Sequence, residues 1–472
     1  MTQNTPSITS RMFYSTAKYS TLKIFFALSS GIVSIFIVRL LGPNEYGKFA
    51  LVINLAAAIG MVLTFGFIDT LSKFIVEYDN NLRKRLFSQA CELTIIMASI
   101  FSIILIVGIE LFPGFFPIEI KEMKYIFILL TLFYALFNII QGMYRGIGKF
   151  LQWSIIDGTQ NFLGHILALL SFLVIFQSYQ TMIKSISFVI LICVLVMLFS
   201  LQKYISLINL KIESKIIRFT LTLFIGNIIF MFWFIIDPVL LRALLKDPSH
   251  VGIFMAGNRI PRLIETIILA PLQVPFLYYF SHPEILQETK ENIIEFGTKT
   301  LGIILGMGSL FLFSFADQIT ILLFSNAYID AIPVLRIYSF VLFLNASHIL
   351  FSPFFLSQNK PYIPILISLS CVLLITILNF FLIPVLKATG AAVSTSISLF
   401  ITTSFSTIIM SKYNSKILIN YIILVICIIL SVLAGVFLNY YLTPLVFTIL
   451  IIATKLFWVD DFARIKKVIF TN

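Results

Sequence analysis

Residues 125–140 read YIFILLTLFYALFNII, and residues 417–437 read ILINYIILVICIILSVLAGVF. Neither stretch contains a charged side chain, and each approaches the roughly 20 residues that an α-helix needs to cross the hydrocarbon core of a bilayer. Similar apolar stretches recur along the whole chain, which predicts about 14 transmembrane helices. We place them at residues 20–41, 49–69, 93–112, 125–144, 160–178, 185–202, 217–240, 251–281, 300–324, 333–357, 362–385, 389–410, 416–438 and 442–459.

The composition of the chain supports the same fold class. Of its 472 residues, 59% are hydrophobic and 11% are charged, and the mean hydropathy is +1.03. Soluble proteins carry about 25% charged residues, and they cannot bury this much apolar surface beneath a polar exterior. The composition therefore excludes a soluble enzyme, a secreted disulfide-bonded domain and a disordered scaffold. It predicts an all-α polytopic membrane protein that acts within the membrane.

The formal net charge of +12 arises from basic residues that gather in short connections between the spans. Such residues mark the cytoplasmic side of a membrane protein and contact anionic lipids, so they do not indicate a nucleic-acid partner. Together with an even number of spans, their distribution predicts a multi-pass protein with both termini in the cytoplasm. The main basic clusters are Arg83–Arg85, then Lys203, Lys211, Lys215 and Arg218, and finally Arg464, Lys466 and Lys467.

Two pairs of connections share a sequence pattern, which indicates an internal repeat. Leu40–Phe49 and Leu244–Phe254 both read Leu-Leu, a proline turn, then an apolar residue, Gly, any residue and Phe. Tyr144–Phe150 and Leu356–Tyr362, which follow the fourth and tenth spans, form a second pair at a similar offset. Because six spans separate the copies, both halves have the same orientation, as in transporters built from parallel repeats.

The repeat predicts two parallel six-helix halves around a central cavity. The N-terminal half would comprise residues 1–210 and the C-terminal half residues 211–411. Residues 412–472 would then add two further transmembrane helices and a cytoplasmic tail.

Two motifs in this chain resemble those of a known family. Arg39–Ala50, with Gly42-Pro43 and Gly47, resembles the first-loop motif of Wzx-type polysaccharide-unit flippases, which belong to the multidrug/oligosaccharidyl-lipid/polysaccharide exporter superfamily. Asn379–Pro384 followed by Thr389–Thr395 is similar to the motif that joins the eleventh and twelfth spans of the same family. The resemblance covers roughly residues 10–410. The glycines of these motifs suit tight turns and close helix packing, so the motifs identify the family and do not bind its cargo.

The resemblance implies an activity. Wzx-type proteins move an undecaprenyl-diphosphate-linked oligosaccharide from the inner to the outer leaflet of the bacterial cytoplasmic (inner) membrane by alternating access. The oligosaccharide then enters O-antigen of lipopolysaccharide, capsule or a similar surface polysaccharide. The implied partners are membrane lipid, the polysaccharide polymerase and the chain-length machinery. No cofactor is implied.

Cations within the spans are the residues to seek, because the diphosphate group of such a cargo must cross hydrocarbon. Arg259 and Arg262 lie at i and i+3 of the eighth span, and Glu265 and Thr266 continue the same helical face. The planar guanidinium group suits a diphosphate because it donates two parallel hydrogen bonds. Glu265 would hold the arginines in place or take part in ion coupling. The alternative is an arginine that reaches the interface beside a structural Arg–Glu pair.

Other charged residues are weaker candidates. Lys23 in the first span would contact the diphosphate or reach the interface, and Arg336 in the tenth span would face the cavity. Asp69 and Lys73 stand at i and i+4 and would pair with each other or serve coupling. Asp237, before Pro238 in the seventh span, is a candidate for a gate or an ion site.

Three other functional classes stay open. A drug/cation antiporter of the same superfamily would need acidic residues inside, whereas arginines outnumber carboxylates in the eighth span. A membrane glycosyltransferase or polymerase would need a sizeable outer loop with catalytic residues, and no connection is that long. A purely structural membrane protein would need neither a repeat nor charges in its spans. No catalytic motif appears, and Cys91, Cys193, Cys371 and Cys427 have no metal-ligand spacing, so neither an enzyme nor a metal site is expected.

Overall fold

The computed structural model describes residues 8–454 and Leu456, apart from 78, 176, 206–213, 270–271, 273–275, 277–279, 281–285, 359 and 361; for residues 8–20, 76, 77, 150, 214 and 215 it describes the backbone only. Three predictions lie wholly or partly outside the described residues. They are the boundary between residues 210 and 211, the second part of the eighth span, and the basic tail with Arg464, Lys466 and Lys467.

Every regular element in the described part of the chain is a helix, so the predicted all-α polytopic fold is confirmed. Short 3₁₀ helices at Pro113–Phe115, Gln202–Tyr204, Asn326–Ala331 and Tyr440–Leu442 occupy connections. The α-helices are α1 (Ile8–Leu63), α2 (Phe67–Glu77), α3 (Asn80–Leu111), α4 (Ile118–Glu122), α5 (Lys124–Gly146), α6 (Phe150–Val174), α7 (Tyr179–Ser200), α8 (Ser214–Leu245), α9 (Pro248–Gly257), α10 (Arg259–Ile268), α11 (Gln287–Ser314), α12 (Ala316–Phe324), α13 (Ile332–Tyr338), α14 (Phe340–Ser357), α15 (Tyr362–Ser411), α16 (Ser415–Phe437) and α17 (Thr443–Ala453).

Among the described residues, nine helices are long and apolar enough to cross a membrane. Two of them, α1 and α15, each contain two predicted spans. In each, a single residue with non-helical backbone angles changes the direction of the chain, and the helix continues on both sides of it. In α1 the change falls at Gly42, whose φ is +69°, and in α15 at Lys387, whose φ is +54°. A glycine reaches such a φ without steric cost. The predicted fourteenth span begins with the shorter helix α17.

The chain divides into two compact units, Met1–Met255 and Ala256–Asn472. In the first unit, α1 packs along α5, α6 and α8, and α2 packs along α5. Helix α8 belongs to this unit through side-chain contacts with α2. The Thr70 and Thr220 hydroxyls lie 3.0 Å apart, and the Phe74 and Phe219 rings meet edge to face.

The first predicted pair of repeated connections meets within the first unit. A Cβ atom added to Gly47 would lie 1.9 Å from the Pro248 carbonyl oxygen, and one added to Gly252 would lie 1.9 Å from the Pro43 carbonyl oxygen. The Asn44 amide also donates to the Ser249 hydroxyl over 3.3 Å. The glycine of each copy therefore packs against the proline carbonyl of the other copy. Such a reciprocal contact is expected of two segments related by a two-fold axis.

Each copy of the second pair of repeated connections contains a main-chain hydrogen bond of the same span. The Lys149 N–H donates to the Tyr144 carbonyl over 3.0 Å, and the Lys360 N–H donates to the Phe355 carbonyl over 2.9 Å. In both turns the bond spans five residues and closes the end of an apolar helix. The two copies thus share this helix-ending hydrogen bond as well as their sequence pattern.

In the second unit, α11 packs against α14, and α14 packs against α15. The last two helices, α16 and α17, both pack against α11. Polar contacts tie them there: the Asn420 amide donates to Glu295 over 3.2 Å, and the Thr443 hydroxyl contacts that of Ser314. The Phe447 ring is fully buried and packs over Gly306. The C-terminal helices are therefore integral to this unit.

Candidate functional site

An ion pair joins α1 to α6 in the first unit. The Lys23 ammonium lies 3.2 Å from Oδ2 of Asp157, and the Gln141 amide of α5 donates to Oδ1 of the same carboxylate over 3.0 Å. Close packing of the two helices places these groups, because Gly158 leaves room for the Phe26 ring where any larger residue would collide with it. Both carboxylate oxygens of Asp157 are thus occupied.

A second ion pair joins α2 to α5. Nη1 of Arg145 lies 3.6 Å from Oδ1 of Asp69. The helices meet closely because Gly142 and Gly146 face the α2 backbone, where added Cβ atoms would lie 2.5 Å from the Ile68 carbonyl oxygen and 2.6 Å from that of Leu71. Small residues four apart are a common way for membrane helices to approach. This contact aligns Asp69 with Arg145.

The Trp153 ring links the two ion pairs. The Lys23 ammonium lies 4.7 Å from the ring centroid, and the Arg145 guanidinium carbon lies 4.8 Å from it, so both cations are within cation–π range. Trp153 is only 6% exposed. We call this group the N-terminal cation cluster. It comprises Lys23, Asp69, Gln141, Arg145, Trp153 and Asp157.

Arg145 is incompletely satisfied within this cluster. A guanidinium group has five N–H donors, and its Asp69 contact at 3.6 Å is longer than a hydrogen bond. Its Nε atom is buried and has no acceptor among the described residues. The side chain is therefore held in place by a ring and an ion pair while its donors remain available.

Asp69 and Lys73, which the sequence places one helical turn apart, have different partners. Asp69 faces Arg145, whereas the Lys73 ammonium lies 4.2 Å from the centroid of the Phe219 ring on α8. Packing of α2 between α5 and α8 decides these contacts, because the two side chains point toward different neighbouring helices.

A second polar group surrounds α10 in the second unit. Nε of Arg262 donates to the Tyr338 hydroxyl over 3.3 Å, and its guanidinium group lies 5.9 Å from the centre of that ring. The Asn345 amide of α14 donates to Oε1 of Glu265 over 2.9 Å. Arg262 thus contacts a polar side chain of α13, and Glu265 contacts one of α14. Charged side chains inside a membrane protein need such polar partners.

The other predicted site residues lie elsewhere. Arg259 is the half-buried first residue of α10. Asp237 is buried in α8, at 3% exposure. Arg336 contacts the Asp317 carboxylate, and its guanidinium carbon lies 5.0 Å from the centre of the Tyr440 ring. The contacts of Arg336 thus join α13, α12 and the connection before α17.

Sequence reasoning singled out Lys23 and Asp69 but not Arg145, Trp153 or Gln141, which complete the cluster. A signal was present, because Arg145 lies in the repeated connection Tyr144–Phe150 at the end of an apolar span. The tryptophan and the glutamine carry no charge, and only the packing of α5 against α6 brings them to the cations.

Comparison with known proteins places the chain in a family. A family model described as polysaccharide biosynthesis protein matches residues 15–279, which is more than half of the chain. No curated protein sequence matches the chain significantly.

Among solved structures, the lipid II flippase MurJ in an inward closed conformation matches with a TM-score of 0.68 and 16% identity over 90% of this chain and 98% of its own. An inward-facing multidrug resistance transporter of the MATE family and MOP superfamily matches with a TM-score of 0.67 and 16% identity over 84% and 96%. A MOP superfamily transporter from Pyrococcus furiosus, described by the reverse polarity of its binding pocket, matches with a TM-score of 0.61 and 15% identity over 85% and 96%.

These matches confirm the family resemblance and the fold that the two sequence motifs predict. The chain shares its fold with a lipid II flippase and with transporters of the MOP superfamily, and it belongs to the polysaccharide biosynthesis protein family.

Proposed function

We propose that this protein is a Wzx-type flippase that moves an undecaprenyl-diphosphate-linked oligosaccharide from the inner to the outer leaflet of the bacterial cytoplasmic membrane. The oligosaccharide would serve the synthesis of O-antigen, capsule or a similar surface polysaccharide. Membership of the polysaccharide biosynthesis protein family supports this class of cargo, and the fold shared with a lipid II flippase supports the activity.

The observation that carries the proposal is the N-terminal cation cluster. Lys23 and Arg145 approach one buried indole ring from two helices that are apolar enough to cross a membrane. Charged side chains in such helices are costly and are retained where they serve a function. A diphosphate needs cations and hydrogen-bond donors to enter hydrocarbon, and this cluster provides both.

The carboxylates in these helices favour an anionic cargo over a cationic drug. Asp157 contacts Lys23 and Gln141, Asp69 contacts Arg145, and Glu265 accepts from Asn345. Each acid therefore already has a cationic or amide partner. An antiporter for organic cations would instead need an acid that the drug reaches without competing with such partners.

The remaining predicted residues have proposed roles in the same cycle. Arg259, Arg262, Arg336 and Lys23 would each contact the diphosphate of the cargo during transport. Glu265, Asp69, Lys73 and Asp237 would act in coupling or gating. Transport would proceed by alternating access without enzymatic chemistry, with both termini in the cytoplasm, and the polymerase and chain-length machinery would use the product.

The test is to delete the gene in the host and measure lipid-linked oligosaccharide in each leaflet together with surface polysaccharide. We expect the lipid-linked unit to accumulate in the inner leaflet and the polymer to be lost. The wild-type gene should restore both, whereas Arg259→Ala at equal abundance should restore them poorly. Unchanged lipid intermediates together with increased sensitivity to cationic drugs would contradict the proposal and establish the antiporter instead.

A further inference from the structure

The N-terminal cation cluster contains an arginine with spare hydrogen-bonding capacity. Arg145 is fixed on one side by the Trp153 ring at 4.8 Å and on another by Asp69 at 3.6 Å. Its buried Nε atom has no acceptor in the described part of the chain. A buried donor without an acceptor costs free energy, so the position is suited to a ligand that supplies one.

The second cation of the cluster is held close by. Lys23 and Arg145 both contact the Trp153 ring, so their charges lie on either side of one rigid group or share one of its faces. Either arrangement keeps the two cations within the reach of a diphosphate, which has two phosphoryl groups and several acceptor oxygens. Arginine binds such groups through two parallel N–H donors.

The two carboxylates of the cluster neutralise its cations in the absence of cargo. Asp157 lies 3.2 Å from the Lys23 ammonium, but both groups are partly exposed, with side-chain exposures of 21% and 31%. Partly exposed ion pairs are weak, so an anion of higher charge competes with them. Neutralisation in the absence of cargo also lowers the cost of holding two cations against the buried Trp153 ring.

We propose that the N-terminal cation cluster is the diphosphate-binding site of the protein, with Arg145 as its principal binding residue. In this proposal Asp69 and Asp157 are counter-ions that the diphosphate displaces. This assignment rests on the proposed function and specifies where and how the cargo is held. Binding exchanges the carboxylates for phosphoryl oxygens at the same cations. Release reverses the exchange, so the carboxylates prevent the cargo from being held too tightly.

The chain offers a direct reporter for this site, because it has three tryptophans, Trp153, Trp233 and Trp458. Replacing Trp233 and Trp458 with phenylalanine leaves Trp153 as the single indole in the full-length protein. In nanodiscs, titration with undecaprenyl diphosphate should change the emission of Trp153 in a saturable manner. Phosphatidylglycerol at equal concentration should not, which separates the cargo diphosphate from the phosphate of a lipid headgroup.

Substitutions of Arg145 test its role as the principal residue that binds the diphosphate. We expect Arg145→Gln to weaken undecaprenyl diphosphate binding by about tenfold or more, since charge-assisted hydrogen bonds are lost. The affinity of Arg145→Lys for undecaprenyl diphosphate should lie between those of the wild type and Arg145→Gln, because lysine keeps the charge and lacks the planar guanidinium group. Lys149→Gln is the matched control, since it removes a cation four residues further along and keeps the main-chain hydrogen bond from the Trp153 N–H to the residue 149 carbonyl. Equal losses in Arg145→Gln and Lys149→Gln would overturn the assignment.

Substitution of the acids tests the exchange. Asp157→Asn keeps an acceptor for Gln141 and removes the charge, so we expect binding to become tighter by about fivefold. Asp79→Asn is the control, since Asp79 caps α3 by accepting from the Leu82 N–H and asparagine caps equally well. The gain should vanish in Lys23→Gln/Asp157→Asn. A gain that persists without Lys23 would show that Asp157 does not act as its counter-ion. Weaker binding in Asp157→Asn with lower thermal stability would show a purely structural contact, and either result overturns the exchange.

The outcomes separate this inference from the proposed function. If the wild-type protein does not bind undecaprenyl diphosphate more tightly than phosphatidylglycerol, both the cargo class and the site fail. If it binds undecaprenyl diphosphate but Trp153 emission stays constant and Arg145→Gln behaves like Lys149→Gln, only the site assignment fails. Leaflet measurements in the deletion strain remain an independent test of flipping.

Discussion

At the scale of single residues, burial decides which of the many charges matter for stability. Arg242 at the end of α8 contacts Glu119 on α4 with 3.0 Å between Nη2 and Oε1, and the side chains are 12% and 3% exposed. The same guanidinium group donates to the Lys246 carbonyl through Nη1 over 2.6 Å. Lys124 and Glu110 form a looser pair at 3.8 Å, in which the glutamate is 65% exposed. Both are ion pairs between a basic side chain and a glutamate, but the Arg242–Glu119 pair is buried and the Lys124–Glu110 pair is more exposed to solvent.

Removing one partner of the buried pair should therefore be costly. We expect Glu119→Ala to lower the free energy of unfolding by about 3 kcal/mol, because a charged guanidinium group is left buried without its counter-ion. Glu110→Ala should change it by less than about 1 kcal/mol. Thermal unfolding of the purified variants in detergent measures both. Equal effects of the two substitutions would show that the burial of the Arg242–Glu119 pair has no energetic consequence.

The partners of Asp69 show what sequence spacing can and cannot predict for single residues. The spacing of Asp69 and Lys73 correctly places them on one helix, but a pair at i and i+4 contributes only a few tenths of a kcal/mol. The close approach of Gly142 to Ile68 brings Arg145 to Asp69 instead. Contacts between helices that are distant in sequence have no local signal, which is why sequence reasoning names Lys23 as a candidate but not its neighbours Arg145 and Trp153.

At the scale of elements, the repeated connections at Pro43–Gly47 and Pro248–Gly252 depend on the absence of side chains. Each glycine lies where a Cβ atom would meet a carbonyl oxygen at 1.9 Å, far inside contact distance. The backbone cannot give way at one copy without moving the other. The repeat was recognisable in the sequence because both copies must keep glycine, but the reciprocal contact between them was not.

Gly47→Ala should consequently separate the two connections. We expect less disulfide formation between Cys substitutions at Asn44 and Ser249, whose side chains are 3.3 Å apart, in a background without the four native cysteines. Gly226→Ala is the matched control, since a Cβ atom there meets nothing within 4 Å. That change should leave the cross-link intact and favour helix α8 by up to about 1 kcal/mol. A Gly47→Ala protein that cross-links as readily as the control would contradict the reciprocal contact.

At the scale of the whole molecule, composition and apolar periodicity were sufficient to predict the fold class, because a bilayer imposes length and hydrophobicity on each helix. They could not predict that the first two spans share helix α1, since the change of direction at Gly42 interrupts the helix at a single residue. Nor could they predict that α16 and α17 pack against α11, because that depends on contacts such as Asn420 with Glu295. The local sequence determines where a helix forms. Which helices pack together depends on side-chain contacts between residues distant in sequence, which a linear pattern does not contain.

The basic residues predict the orientation of the molecule in the membrane, and direct measurement can test that prediction. Basic connections are retained in the cytoplasm, so both termini and the connection with Arg83–Arg85 should lie on the cytoplasmic side. Green fluorescent protein fused after residue 472 should fluoresce, and alkaline phosphatase inserted at Gly114, in the connection between α3 and α4, should be active. Reversing the charge of Arg83, Lys84 and Arg85 tests the cause, because acidic residues there should reduce correct insertion. An active phosphatase fused at the C-terminus would reverse the predicted orientation, and the N-terminal cation cluster would then face the outer leaflet, where it would meet the cargo at the end of its path.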